Sequence, residues 1–260
     1  MILVLGPGKS GTTALFFCLK ACAERHYGIE FPHRFEPNTA EDVDAFKDKF
    51  GIVKMLLERY LRTSNDFLPR FDRRVFISRD PRDNVISRLV YYAVTRLKAA
   101  DAQTREAVMQ KFLAKEQDPE SVSVLELFKA IGPLMGNPDG ARSAWKTACT
   151  PLIFFASGDG GFFRLRYEDF LDGKLSDLEG YLGFDVSLDF EVPANLQRVK
   201  RTRAHGYWRN WFTDDDFTYF VTARQDDLVR MGYDDLAPYR GRKVIAPVEI
   251  SEYLQRQLRA

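Results

Sequence analysis

Residues 6–13 read GPGKSGTT and follow directly on the apolar run MILVL. Gly6 and Gly11 have the spacing of the phosphate loop G-x-x-x-x-G-K-[ST], but Thr12 stands where the lysine belongs. The lysine is Lys9, three positions early and inside the loop. Gly8 and Gly11 allow close backbone approach, and the amides and dipole of a following helix favour an anion. Thr12 and Thr13 add hydroxyl donors at its first turn. In a nucleotide kinase the lysine behind the second glycine spans the terminal phosphates while a Ser or Thr holds magnesium. That arrangement is not reproduced here. Arg79 directly precedes Asp80 in VFISRD, and a cation beside a strand-end carboxylate recruits magnesium poorly. No metal site is expected, and the loop suits an anion neutralised by protein groups.

SRDPRDNVISRL places an arginine at the end of a strand and a helix start directly behind it. Arg79 ends a strand, Asp80 and Pro81 start a helix, and Ser87 lies eight residues after the arginine. A guanidinium at such a place can hold an anion in two-pronged fashion. The plainer alternative is a capped helix with its arginine paired to a nearby aspartate. HRFEPNT carries a carboxylate at Glu36, with Pro37 fixing the turn after it, and an imidazole at His33 three residues earlier.

These segments together resemble the sulfotransferases that use 3′-phosphoadenosine 5′-phosphosulfate (PAPS). Lys9, Ser10, Gly11, Thr12 and Thr13 match their P-K-S-G-T-T loop, with Gly8 in place of proline. Arg79, Asp80, Pro81, Asp83 and Ser87 match the 3′-phosphate signature R-D-P-x-D-x-x-x-S. LRYEDFL resembles the Y-E-D-L segment, whose tyrosine lies near the adenine, a role that falls to Tyr167. RTRAHGYWRNWFT resembles R-K-G-x-x-G-D-W-K-N-x-F-T, which wraps over the nucleotide. Arg201, Gly206, Trp208, Asn210, Phe212 and Thr213 match, and Arg209 replaces a lysine. Thr202 and Arg203 depart where Lys and Gly are usual. The basic run here (Arg198, Lys200, Arg201, Arg203) reads equally as a solvated loop.

The resemblance covers about residues 3–213 and implies an enzyme that moves a sulfuryl group from PAPS to a hydroxyl by in-line displacement without metal. It gives Gly8, Lys9, Ser10, Gly11, Thr12, Thr13, Arg79, Ser87, Tyr167, Arg201, Thr202 and Arg203 to cofactor binding, with Lys9 neutralising the departing phosphate. Small-molecule members carry a histidine in K-T-H-x-P after the second strand; VKMLLE has Lys54 there and no histidine. Carbohydrate and tyrosyl members use a glutamate before that strand, which points to Glu36 as base, with His33 as runner-up. Lys54 then contacts the sulfuryl oxygens or is an ordinary strand-end lysine. The Glu36 arrangement leans towards an acceptor hydroxyl on a carbohydrate or glycolipid, with a small hydroxylated metabolite or lipid as alternative. A P-loop nucleotide kinase and a non-catalytic PAPS-binding relative are the competing classes.

The elements that must position these residues follow from the apolar pattern. MILVL, GIVKMLL and RVFIS read as buried strands, and FFRLR as a shorter one. Helices are expected from Thr12 to about Arg25, from Pro81 onward, near 104–116, 121–135 and 139–149, and at YEDFL. Strands alternating with helices predict an α/β fold: a single P-loop-like domain over 1–260 with a mainly parallel central sheet flanked by helices. The C-terminal extension, about 238–260, reads as an extended segment and a short helix suited to packing on a neighbour. With 260 residues, 45% hydrophobic residues and a net charge of +1, no global field calls for nucleic acid. The chain shows no basic leader and no membrane-spanning run, so a cytoplasmic location is the default expectation. The three cysteines lack zinc spacing and read as reduced core thiols. Nothing in the sequence specifies an oligomeric state.

Overall fold

The computed structural model describes residues 1–37, 42–43, 46, 50–62, 67–156, 161–194, 196 and 204–259. Its five strands form one sheet, β1 (Ile2–Gly6), β2 (His33–Phe35), β3 (Ile52–Leu56), β4 (Arg73–Ser78) and β5 (Phe163–Arg166), in the order β2-β3-β1-β4-β5. Every neighbouring pair is parallel. β1 is buried at all five positions, as an unbroken apolar run demands when both faces of a parallel sheet are covered. It lies between β3 and β4, so the strand order switches direction at β1, where α/β sheets open a crevice at their carboxyl ends.

Contacts divide the chain into two compact units. The first comprises Met1–Arg79 and Ile153–Val199, and the second Asp80–Leu152 and Lys200–Ala260. The first holds the whole sheet. α1 (Thr12–Tyr27) and α9 (Ser176–Leu182) bury Leu15, Phe16, Leu19 and Leu178 with Val4, Val75 and Ile77 of the sheet. A second cluster joins Leu3, Leu5, Val53 and Phe76 to Tyr60, Phe154 and Phe162. Short helices α2 (Leu57–Tyr60) and α8 (Tyr167–Leu171) directly follow β3 and β5.

The second unit is helical: α3 (Pro81–Leu97), α4 (Ala102–Gln117), α5 (Val124–Met135), α6 (Gly140–Ala148), α10 (Trp208–Trp211), α11 (Asp214–Phe220), α12 (Gln225–Arg230) and α13 (Ser251–Arg259). α7 (Thr150–Ala156) runs across the boundary between the units. The Asp80 side chain accepts from the Arg82 N–H at 2.9 Å and caps α3, with Pro81 at its first position. Its core gathers Val85, Leu89, Phe128, Trp145, Trp211 and Phe220. The C-terminal helix does not wait for a neighbour. Tyr253 and Leu254 of α13 are buried in this same core, because the helix carries one apolar face that the unit's own helices cover.

β2 is not foreseen by the sequence, which offers only His-Arg-Phe with no apolar alternation. It exists through its pairing with β3, where His33 faces Ile52 and Phe35 faces Lys54. The three cysteines are buried free thiols. No described helix is long and apolar enough to cross a membrane.

Candidate active site

The first unit carries its candidate site residues at and near the carboxyl ends of its strands. β1 leads into the glycine loop, Glu36 follows β2, Glu58 follows β3, Arg79 follows β4 and Tyr167 follows β5. Lys54 lies one turn of pleat back on β3, level with Val4 and Phe35.

Among described residues, α1 begins with no side-chain cap: Gly11 stands at its N-cap with φ 89°. The first amides of α1 therefore lack intrahelical partners by the geometry of any helix. A side chain at Gly11 is excluded twice over, by the left-handed backbone and because a β-carbon would lie 2.4 Å from Tyr167 Cδ2. The other left-handed turn of the loop falls on Lys9 (φ 68°), not on Gly8. Ser10 is fully buried, with its Oγ 2.7 Å from the Pro7 carbonyl and 3.2 Å from that of Ile77. Its hydroxyl thus braces the loop against β4, and its N–H donates to Pro7 at 3.3 Å.

Non-glycine residues with positive φ are few because the β-carbon crowds the carbonyl, and they collect at functional sites. Among the described residues they are Lys9 and Glu36 (φ 52°). Glu36 is held there from several sides. Its N–H donates to the Lys54 carbonyl at 2.9 Å, and its own carbonyl accepts from Arg59 Nη1 at 2.8 Å. Its carboxylate is ion-paired with the Lys54 ammonium. Lys54 also donates to Thr13 Oγ1 at 3.2 Å and lies 4.4 Å from the centre of the Phe35 ring. The lysine is 1% exposed and the glutamate 29%, so one side of the pair is sealed and the other open. Burial pulls the Lys54 ammonium below its ordinary range, and the Glu36 carboxylate pulls the other way. Lys54 therefore ties the candidate base to Thr13 in the first turn of α1.

Arg79 is buried, with its guanidinium carbon 4.6 Å from the centre of the Tyr167 ring and Nη1 3.4 Å from the Lys9 carbonyl. Gly11, Tyr167 and Arg79 form a stack beside the loop. His33 stands apart from this group: it is exposed at the start of β2, level with Ile52 and hence with Ile2. The loop leaves β1 four residues further on, about 13 Å away at strand rise. Ser87 is half-buried on α3 in the second unit. Arg201, Thr202 and Arg203 lie outside the described residues.

The rest of the R-D-P-x-D motif is engaged inside the second unit. Asp83 is fully buried and accepts from the Gly206 N–H at 2.6 Å and the Trp208 N–H at 3.0 Å. Arg82 makes a two-pronged pair with Asp80 and lies 4.0 Å from the centre of the Trp208 ring, with Arg209 at 4.7 Å. Two residues escaped the sequence reading, Glu58 and Arg59. Their signal was position: they are charged residues just past the end of a buried strand.

No protein-family model matches the chain, and comparison with curated proteins finds no match.

Proposed function

We propose that the chain is a PAPS-dependent sulfotransferase, transferring the sulfuryl group to an acceptor hydroxyl, most readily one on a carbohydrate or glycolipid. The observation that carries this reading is the placing of Lys9, Glu36 and Arg79 past the carboxyl ends of three parallel strands, with Lys54 midway along β3 ion-paired to Glu36, and Lys9 and Glu36 both held in left-handed backbone. The donor set fits the ligand chemically: amides and hydroxyls at the start of α1 for one anionic group, and a guanidinium for another. Bound PAPS supplies an activated sulfuryl group on a phosphate leaving group.

In this reading the loop amides and Thr12 orient the 5′ end, and Lys9 neutralises charge that grows on the departing oxygen. Glu36 accepts the acceptor's proton from the open side of its pair with Lys54, while Lys54 faces the transferred group. Arg79 holds the second phosphate, and Tyr167 supplies an aromatic face near the purine. Ser87 and residues 201–203 rest on the resemblance alone.

The test is transfer of labelled sulfuryl from PAPS to a panel of oligosaccharides, glycolipids and small alcohols, with and without chelator. Transfer that survives chelation, with 3′-phosphoadenosine 5′-phosphate as product, is the expected result. Lys9→Ala is expected to lower turnover about 10²–10³-fold while product affinity changes only a few-fold. Equal losses in both would refute this role of Lys9, and phosphate transfer that needs magnesium would overturn the assignment.

A further inference from the structure

The glycine loop already holds an anion of the protein's own. The Gly8 N–H points between both carboxylate oxygens of Glu58, at 3.0 Å to Oε1 and 3.1 Å to Oε2. The placement follows from strand register. Gly6, the last residue of β1, pairs with Leu56, the last of β3, so two steps further along each chain set Gly8 opposite Glu58. Glu58 is half-buried on α2, and its charge also acts on the buried Lys54 ammonium.

A carboxylate accepting from a backbone amide is a charge-assisted bond. At a loop built for phosphate oxygens it is also a competitor: an incoming anion meets an amide already engaged and a like charge beside it. We propose that Glu58 is a resident counter-ligand of the loop. It holds the Gly8 N–H when no nucleotide is bound and yields it to an oxygen of the arriving anion. Every bound anion is thereby weakened by the cost of displacing Glu58, and the returning carboxylate drives the anion out. Release of a doubly phosphorylated product is the step such a device accelerates, since product release limits many enzymes.

The identity of the nucleotide rests on the sulfotransferase reading; the competition itself does not. The experiment is calorimetric titration of the full chain and of its Glu58→Gln and Glu58→Ala variants. Two probes are used, 3′-phosphoadenosine 5′-phosphate and inorganic pyrophosphate, with thermal melting of each protein as a check on folding. Glu58→Gln keeps an acceptor for Gly8 but removes the charge, and is expected to tighten binding a few-fold. Glu58→Ala removes both and is expected to tighten it about tenfold, the equivalent of about 1.4 kcal/mol. Unchanged or weaker binding by the folded variants would show that Glu58 only braces the loop, and would sink the proposal. If pyrophosphate binds more tightly to the variants while the adenosine ligand binds to none of the proteins, the counter-ligand stands and the sulfotransferase reading falls. If neither probe binds any of them, both fall.

Discussion

The carboxyl edge of the sheet in the first unit and the Asp80–Asp83 knot in the second are built from the same kinds of residue and behave in opposite ways. At the sheet edge, Glu36 is strained, a quarter open to solvent and tied to one lysine, and Lys9 also sits in left-handed backbone. In the knot, Asp83 is wholly buried and takes two backbone N–H groups, and Trp208 is flanked by the guanidiniums of Arg82 and Arg209. One arrangement leaves polar atoms in reach of a ligand; the other closes on itself. Neighbouring letters of one motif fall on the two sides of this divide, since Arg79 belongs to the sheet edge and Asp80, Arg82 and Asp83 to the knot. A charged residue in a motif is thus functional or architectural according to what its partners leave unused.

That contrast breaks most visibly through kinetics against stability. Glu36→Gln keeps the shape and removes the charge, and its rate is expected to fall about 10²–10⁴-fold in protein that stays folded, with some loss of melting temperature from the buried Lys54 left without its counter-charge. An enzyme that retains nearly full rate across pH 6–9 would strike Glu36 from the mechanism. Asp83→Ala is expected to do the reverse at the level of folding. It strands the buried Trp208 amide and the half-buried Gly206 amide at about 1–3 kcal/mol for a fully buried group, so the unfolding free energy falls by a few kcal/mol and the denaturant midpoint with it. Asp83→Asn, which keeps one acceptor oxygen, recovers part of that loss. If Asp83→Ala melts like the native protein, the knot is not architectural.

The smallest effect sharpens the second unit further. Lys115 on α4 is fully buried and donates to the Pro119 carbonyl at 2.5 Å. Burial pulls its ammonium from 10.5 down to about 8, against the opposing charges of Asp216 and Glu120. The folded protein therefore holds this proton less tightly than the unfolded chain. Its stability is lowest where both are protonated, below pH 8, and rises as pH climbs from 8 towards 10.5. The gain between about pH 7.5 and 9.5 is on the order of 2 kcal/mol, measurable by urea titration. Lys115→Met is expected to flatten that slope, and an unchanged slope would assign it to other groups.

Much of the sheet and the loop could be read from the residues because they depend on local pattern. MILVL is apolar enough to require burial, and the glycines behind it fit only a turn. The α/β architecture with a parallel sheet follows from the same alternation and is what the structure shows. β2 could not be read, because three residues with two charged or polar side chains become a strand only through β3. The Glu36–Lys54–Thr13 link was hidden for the same reason: it needs the β2–β3 register and the helix start at once. Ser10 was given to the ligand by its motif, yet the approach of Pro7 and Ile77 turns its hydroxyl towards their carbonyls. Glu58 opposite Gly8 depends on the β1–β3 pairing, which no single stretch of sequence spells.

The contact between Gly11 and Tyr167 makes the glycine loop answerable to a ring just past the end of β5. The space that a β-carbon would need is filled by the phenol, so the two positions share one allotment of volume. A smaller residue at 167 would lift the steric half of the bar on a side chain at 11 and leave the left-handed backbone as the other half, and shrinking the ring frees the loop to take other shapes. The shape of the glycine loop can therefore be recut from the start of α8, without touching the loop itself.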